Sequence, residues 1–129
     1  MNAQEQALKQ RTKRFALDVI ALTHRLPHGD PAMSISRQLV RSATGVGANY
    51  RSTCRARSKT EFVARIAVAL EEADESAFWL EIVSESGLLT DDRVARLLVE
   101  ANELCAILAA SRITAAENLR RYGDAPNRI

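Results

Sequence analysis

Apolar residues recur along this chain at spacings of three and four, in four separate blocks. Phe15, Val19, Leu22 and Leu26 stand at i, i+4, i+7 and i+11, the spacing of one helix face. The pattern predicts a helix from about Ala3 to Leu26, broken by Pro27-His28-Gly29-Asp30-Pro31. Asp30 before Pro31 reads as an N-cap with proline at the first helical position. A second helix then covers Ala32 to Ala56, with Ile35, Leu39, Val46 and Tyr50 on its buried side. Ser58-Lys59-Thr60-Glu61 matches a capping box, so a third helix starts at Lys59. It carries Phe62, Ile66, Ala69, Ala73 and Leu80 on one stripe, and Gly87 is placed to end it. Thr90 is expected to cap a fourth helix, with Asp91 and Asp92 beside its N-terminal partial charge. Val94, Leu97, Ala101, Leu104 and Leu108 form its apolar stripe.

Each predicted helix holds about 24 residues, so about 36 Å at 1.5 Å per residue. Short connections make neighbouring helices antiparallel. The expected fold is all-α: an antiparallel up-down-up-down four-helix bundle over residues 1–121, with a flexible C-terminal tail over 122–129. Composition agrees. A chain of 129 residues is one domain long, and 47% hydrophobic with 26% charged is globular. Aromatics are only 5%, which leaves Ala and Leu, both good helix formers, to dominate the apolar set.

No apolar run approaches the roughly 18 residues that span a bilayer. Met1 to Glu5 lacks the apolar core of a signal peptide, so a cytoplasmic protein with no membrane partner is expected. Cys54 and Cys105 fit no CxxC spacing and read as free thiols acting as small apolar side chains.

Charge changes the picture more than composition does. The net charge of +2 hides a segregated chain. Arg37 to Arg65 holds seven Arg or Lys and one acid, Glu61, whereas Glu71 to Glu103 holds ten acids and two bases. At 100° per residue, Arg37, Arg41, Arg51 and Arg55 fall within about 80° of one another. They should form one outward ridge. Helix order adds a basic pole with Lys9, Arg11, Lys13, Arg14, Arg55, Arg57, Lys59, Arg112, Arg120 and Arg121, and an acidic pole with Asp30, Glu85, Asp91 and Asp92. Several cations on one face suit phosphate, because each displaced counterion adds affinity and guanidinium forks fit phosphate oxygens. Solvated helix faces are the plainer reading. With no helix-turn-helix, zinc finger or RNP aromatic pair, any nucleic-acid contact should be backbone-driven.

Val68, Trp79 and Ile82 lie roughly opposite the Phe62–Leu80 stripe, rimmed by Glu72 and Glu75. One core cannot bury both sides, so this second apolar surface predicts an oligomer interface; a partly exposed aromatic is the alternative. Gly45 and Gly47 each cost about 1 kcal/mol relative to Ala in a helix. Close helix approach and a tolerated kink are both open readings.

Nothing assembles a catalytic site. There is no inward Glu-x-x-His pair, and His24 and His28 sit together at a predicted turn. Glu71, Asp74, Glu75 and Glu81 read as a solvated acidic face and not as a metal site. Gly45-Val46-Gly47 follows no strand, so it is no dinucleotide loop. No Ser-His-Asp or Cys-His arrangement can be argued. The chain is expected to be no enzyme, with no catalytic residue, cofactor or metal.

Gln38-Leu39-Val40-Arg41-Ser42-Ala43, Val46-Gly47-Ala48-Asn49-Tyr50-Arg51, and Cys54-Arg55-Ala56-Arg57-Ser58-Lys59 with Glu61-Phe62 form one set of motifs. Leu70-Glu71-Glu72-Ala73-Asp74-Glu75 and Phe78-Trp79-Leu80-Glu81 form another. Over about Phe15 to Ser111 the chain resembles the bacterial four-helix-bundle proteins named for the 23S ribosomal RNA intervening sequences in which some are encoded. It departs at Ser52-Thr53, where many members carry Glu-Gly. The resemblance implies a four-helix bundle assembled into a ring, with five subunits, in a homo-oligomer. It also implies kinship with the accessory variability-determinant proteins of diversity-generating retroelements, basic rings that bind nucleic acid and a reverse transcriptase. Carried over, Arg51, Arg55, Arg57 and Lys59 are candidate contacts.

The expectation is therefore a non-enzymatic, ring-forming bundle that meets RNA, DNA or an acidic protein through Arg37, Arg41, Arg51, Arg55, Arg57 and Lys59. The alternative is an interaction scaffold whose arginines pair with acidic residues of an adjacent subunit.

Overall fold

A computed structural model describes residues 2–124. It contains four helices: α1 (Ala3–Thr23), α2 (Ala32–Cys54), α3 (Lys59–Glu85) and α4 (Asp92–Tyr122). No strand is present among the described residues. α1 packs on α2, α2 on α3, α3 on α4, and α4 returns to α1, so the helices surround one core in chain order. Cross-links fix the directions. Arg25 near the end of α1 reaches Asp91 before α4, and Thr60 at the start of α3 meets Asp124 after α4. Neighbours are antiparallel, and the fold is the expected all-α bundle.

The helix ends show where local chemistry acts. Ser58 accepts from the Glu61 N–H at 3.0 Å, and the Glu61 carboxylate reaches back to the Arg57 N–H at 3.4 Å. Ser58 thus caps α3 at Lys59 as the motif predicts, while the return bond of Glu61 goes one residue further back than in a full capping box, to Arg57 in place of Ser58. Gly87 follows the α3 C-cap with φ of 75°, a left-handed turn that a side chain would strain. Four boundaries shift from the sequence reading. α1 stops at Thr23, where the chain tightens and Arg25 and Leu26 donate three residues back, to Leu22 and Thr23. α2 stops at Cys54, two residues before the expected end. α2 has Pro31 as its N-cap with no side-chain cap; Asp30 serves from one position back, accepting from the Ser34 N–H and hydroxyl. Asp91, not Thr90, caps α4, because its carboxylate reaches the Arg93 N–H at 2.9 Å. The expected flexible tail over 122–129 falls, for residues 125–129, outside the described residues.

The core follows the periodic stripes: Phe15, Val19 and Leu22 of α1, Leu39, Val46 and Tyr50 of α2, Ile66, Ala73 and Leu80 of α3, and Leu97, Leu104 and Leu108 of α4 are buried. Ile35 and Phe62 are only half-buried against it. Cys54 and Cys105 are free and half-buried. Small residues bring α2 and α3 together, and the Ser76 hydroxyl donates to the Ser42 hydroxyl at 3.1 Å inside the bundle. A Cβ at Gly45 would sit 3.0 Å from Glu72 Cδ, so Gly45 gives Glu72 room to lie across α2. At Gly47 the nearest atom is Thr12 Oγ1 of α1 at 3.5 Å, an ordinary contact. Close approach is the better account at Gly45.

The helices are not of equal length. α1 has 21 residues and α4 has 31, so about 32 Å against about 46 Å. Leu108 is the last buried residue of α4. The rest of that helix overhangs the end of the bundle where α1 begins. Among the described residues, no helix is long and apolar enough to cross a membrane.

Candidate nucleic-acid interface

All four arginines predicted to form the ridge are exposed, Arg37, Arg41 and Arg51 on α2 and Arg55 at its C-cap. Their helical positions spread them. Arg37 and Arg55 share one direction, while Arg41 and Arg51 are offset from it by about 40° to opposite sides. Arg41 leans to α3, where its guanidinium lies 3.4 Å from Glu72 Oε2 and also binds the Glu75 carboxylate. These bonds raise the Arg41 pKa, chiefly through Glu75. Glu75 is lowered by its hydrogen bond to Arg41, whereas Glu72 is raised, mainly by burial. Arg41 is therefore already partnered.

Arg51 turns the other way, into a groove between α1 and α2 of about 310 Å³. Lys9 and Lys13 of α1 line the same groove, with Gln6, Gln10 and Thr44. Among the described residues, Lys9, Lys13 and Arg51 form no ion pair. The sequence reading placed Lys9 and Lys13 only in a broad basic pole. The missed signal is the polar stripe Gln6, Gln10, Lys13, which turns with the helix toward the face of α2 that carries Arg51.

Arg57 and Lys59 lie elsewhere, Arg57 on the turn between α2 and α3 and Lys59 at the first position of α3. Both line a cleft with the overhanging part of α4. The Lys59 ammonium stands 5.5 Å from the Tyr122 ring centroid, a cation–π contact. Arg65 is a strut within the bundle: it binds Ser52 and, at 2.7 Å, Glu61. The six candidate cations are thus distributed over four places: Arg37 and Arg55 outward, Arg41 against α3, Arg51 in the α1–α2 groove, and Arg57 with Lys59 at the cleft beside α4.

The basic pole is smaller than expected. Arg11 is committed to Glu100 at 2.6 Å and to Glu103, midway along α4, and these bonds raise its pKa. Arg14 pairs with Asp18, and Arg120 and Arg121 pair with Glu117. At the far end Arg25 binds Asp91 at 2.7 Å, which offsets part of the acidic pole.

On α3, Val68 is 40% exposed, while Trp79 and Ile82 are half-buried. Trp79 packs against the core and edge-on to Phe78, 5.0 Å between centroids. Its Nε1 is buried with no hydrogen-bond partner among the described residues. The most exposed large apolar side chain on this helix is Phe78, at 50%, which stands outside the Val68, Trp79 and Ile82 set. His24 and His28 are both exposed. Among the described residues no cluster of three His, Cys, Asp or Glu side chains could hold a metal ion.

Comparison with known proteins agrees with this architecture. A protein with unknown function from the S23 ribosomal protein family of Bacteroides thetaiotaomicron VPI-5482, solved as a crystal structure, is similar in fold. Its TM-score is 0.77 and its identity 26%, covering 84% of this chain and 97% of that one. No curated protein matches the chain. Residues 4–110 match the 23S rRNA-intervening sequence protein family. With most of its length inside that match and four antiparallel helices around one core, the chain belongs to the 23S rRNA-intervening sequence protein family.

Proposed function

We propose that this chain is a non-enzymatic bundle that associates with copies of itself into a ring and binds the phosphate backbone of nucleic acid. The supporting observation is the groove in which Lys9, Lys13 and Arg51 stand together without carboxylate partners among the described residues. Cations held along one groove release several counterions at once when a phosphate chain enters. Gln6 and Gln10 add amide donors, and no aromatic lines the groove to stack on a base. The binding is therefore independent of sequence. Arg37 and Arg55 extend the same surface along α2.

Fluorescence anisotropy with labelled single-stranded RNA and DNA at several salt concentrations tests the proposal. The log–log salt slope of the wild type should exceed that of the Lys9→Gln/Lys13→Gln/Arg51→Gln variant by about two, at roughly 0.7 per phosphate contact for single strands. No binding at low salt, or a slope that the triple variant leaves unchanged, would refute it.

A scaffold is the second reading, favoured by Val68 and Phe78, which are exposed on α3 beside Glu71, Asp74 and Glu81. Under it, Arg55→Glu dissociates the ring. Under the nucleic-acid reading the ring stays whole and binding weakens.

A further inference from the structure

The end of the molecule where α1 begins carries a second cleft, of about 590 Å³. It lies within the size range of ligand sites, roughly 300–1,000 Å³. Its floor is apolar or small: Ala56, Phe62, Ala110 and Ala115. The cleft exists because α4 outruns α1. The inward stripe Leu104, Leu108 continues as Ser111, Ala115 and Asn118, yet nothing past Leu108 is buried. A neighbouring groove that begins at Asn2 shares Phe62 and Ser111 with the cleft, so the two join along the line that a longer α1 would have followed. The small side chains along it admit the close approach of another helix.

The rim specifies charge. Arg57 is exposed and forms no ion pair among the described residues. Lys59 is held at the rim by the Tyr122 ring. Among the described residues one acid stands at the rim, Asp124, whose carboxylate oxygens accept from the Thr60 N–H at 2.8 Å and the Thr60 hydroxyl at 2.7 Å and keep their charge, so the rim has an excess of one cation. Arg57 and Lys59, with Asp124 offsetting one of them, are too few for a polyanion, which needs several, but above an apolar floor they match a segment with one apolar and one acidic side.

We propose that this cleft docks an acidic amphipathic helix of a partner protein, with its apolar anchors on Phe62 and Ala115 and its carboxylates facing Arg57 and Lys59. The cleft shares no lining residue with the α1–α2 groove, so the proposal stands without the nucleic-acid reading.

The test uses the full chain and a fluorescein-labelled helical peptide with leucines along one face and glutamates flanking them. A second peptide carries lysine in place of each glutamate. The acidic peptide should bind at least tenfold more tightly. Ala110→Trp, at an exposed position that fills the cleft, should weaken it tenfold or more, and Arg57→Glu/Lys59→Glu should reverse the preference. Circular dichroism confirms that each variant is folded. Equal binding of the two peptides, or binding that neither variant alters, overturns the proposal. So does loss of an oligomer in Ala110→Trp by light scattering, which would make the cleft a contact between copies. A tenfold loss of RNA or DNA binding in the same variant would instead assign the cleft to nucleic acid.

Discussion

Single carboxylates do specific work at the ends of these helices. Asp91 is lowered by the backbone N–H of Arg93, and Asp124 by the side chain and backbone of Thr60. A carboxylate whose folded pKa lies below its unfolded value contributes stability that is complete above the unfolded pKa, near 4, and lost as pH falls through the folded one. Melting temperature should therefore drop as pH is lowered below about 4, and Asp91→Asn/Asp124→Asn should flatten that dependence, because amides can still accept the bonds but do not titrate. The helical glycines separate by the same local reasoning. Gly47→Ala meets only ordinary contact at Thr12 and should gain about 0.5–1 kcal/mol by urea denaturation. Gly45→Ala pushes Glu72 away from Arg41, so its propensity gain is offset and the net change should be within about 0.5 kcal/mol.

At the scale of the helix, α4 divides into two parts. Up to Leu108 it delivers a core residue every three or four positions. Leu104→Ala removes a fully buried side chain of the shared core and should cost about 2–5 kcal/mol in denaturant unfolding. Val99→Ala, on the outer face of the same helix, should change stability by no more than about 0.5 kcal/mol. Beyond Leu108 the helix relies on its own hydrogen bonds, on Asp124 at Thr60, and on Lys59 over Tyr122. Its amides there should exchange with deuterium well before those of the Leu97–Leu108 segment, since local opening exposes little apolar surface.

At the scale of the whole molecule, opposite charges are sorted between pairs of helices and not simply between two ends. α2 leans Arg41 on the acids of α3, and α1 leans Arg11 on those of α4. Among the described residues, the cations left without an ion pair include Lys9, Lys13 and Arg51 of the groove, Arg57 and Lys59 at the terminal cleft, and the outward Arg37 and Arg55. Association belongs to this scale as well. If the exposed face of α3 carries the ring, light scattering should give a mass well above the 14.2 kDa protomer, and Val68→Glu, at an exposed position, should return it to that value without unfolding it.

The stripes from Phe15 to Leu26 and from Val94 to Leu108, the Ser58 cap of α3 and the Gly87 turn were legible in the chain itself. Helix periodicity and capping are local: neighbours within a turn decide them, and the short connections then leave few ways to close a bundle. The charge surface was legible only in part. The pattern put four arginines on one side of α2, but whether each meets solvent, a lysine or a carboxylate depends on what the adjacent helix presents. Arg41 and Arg51 differ in angle by about 80°, and that difference sends one to Glu75 and the other to a groove with Lys9 and Lys13. The terminal cleft could not be read from any one segment, because it is the difference in length between α1 and α4 once they lie side by side. The chain alone determined the helices and the core they share; only their packing decided which cations are neutralised and which stand free.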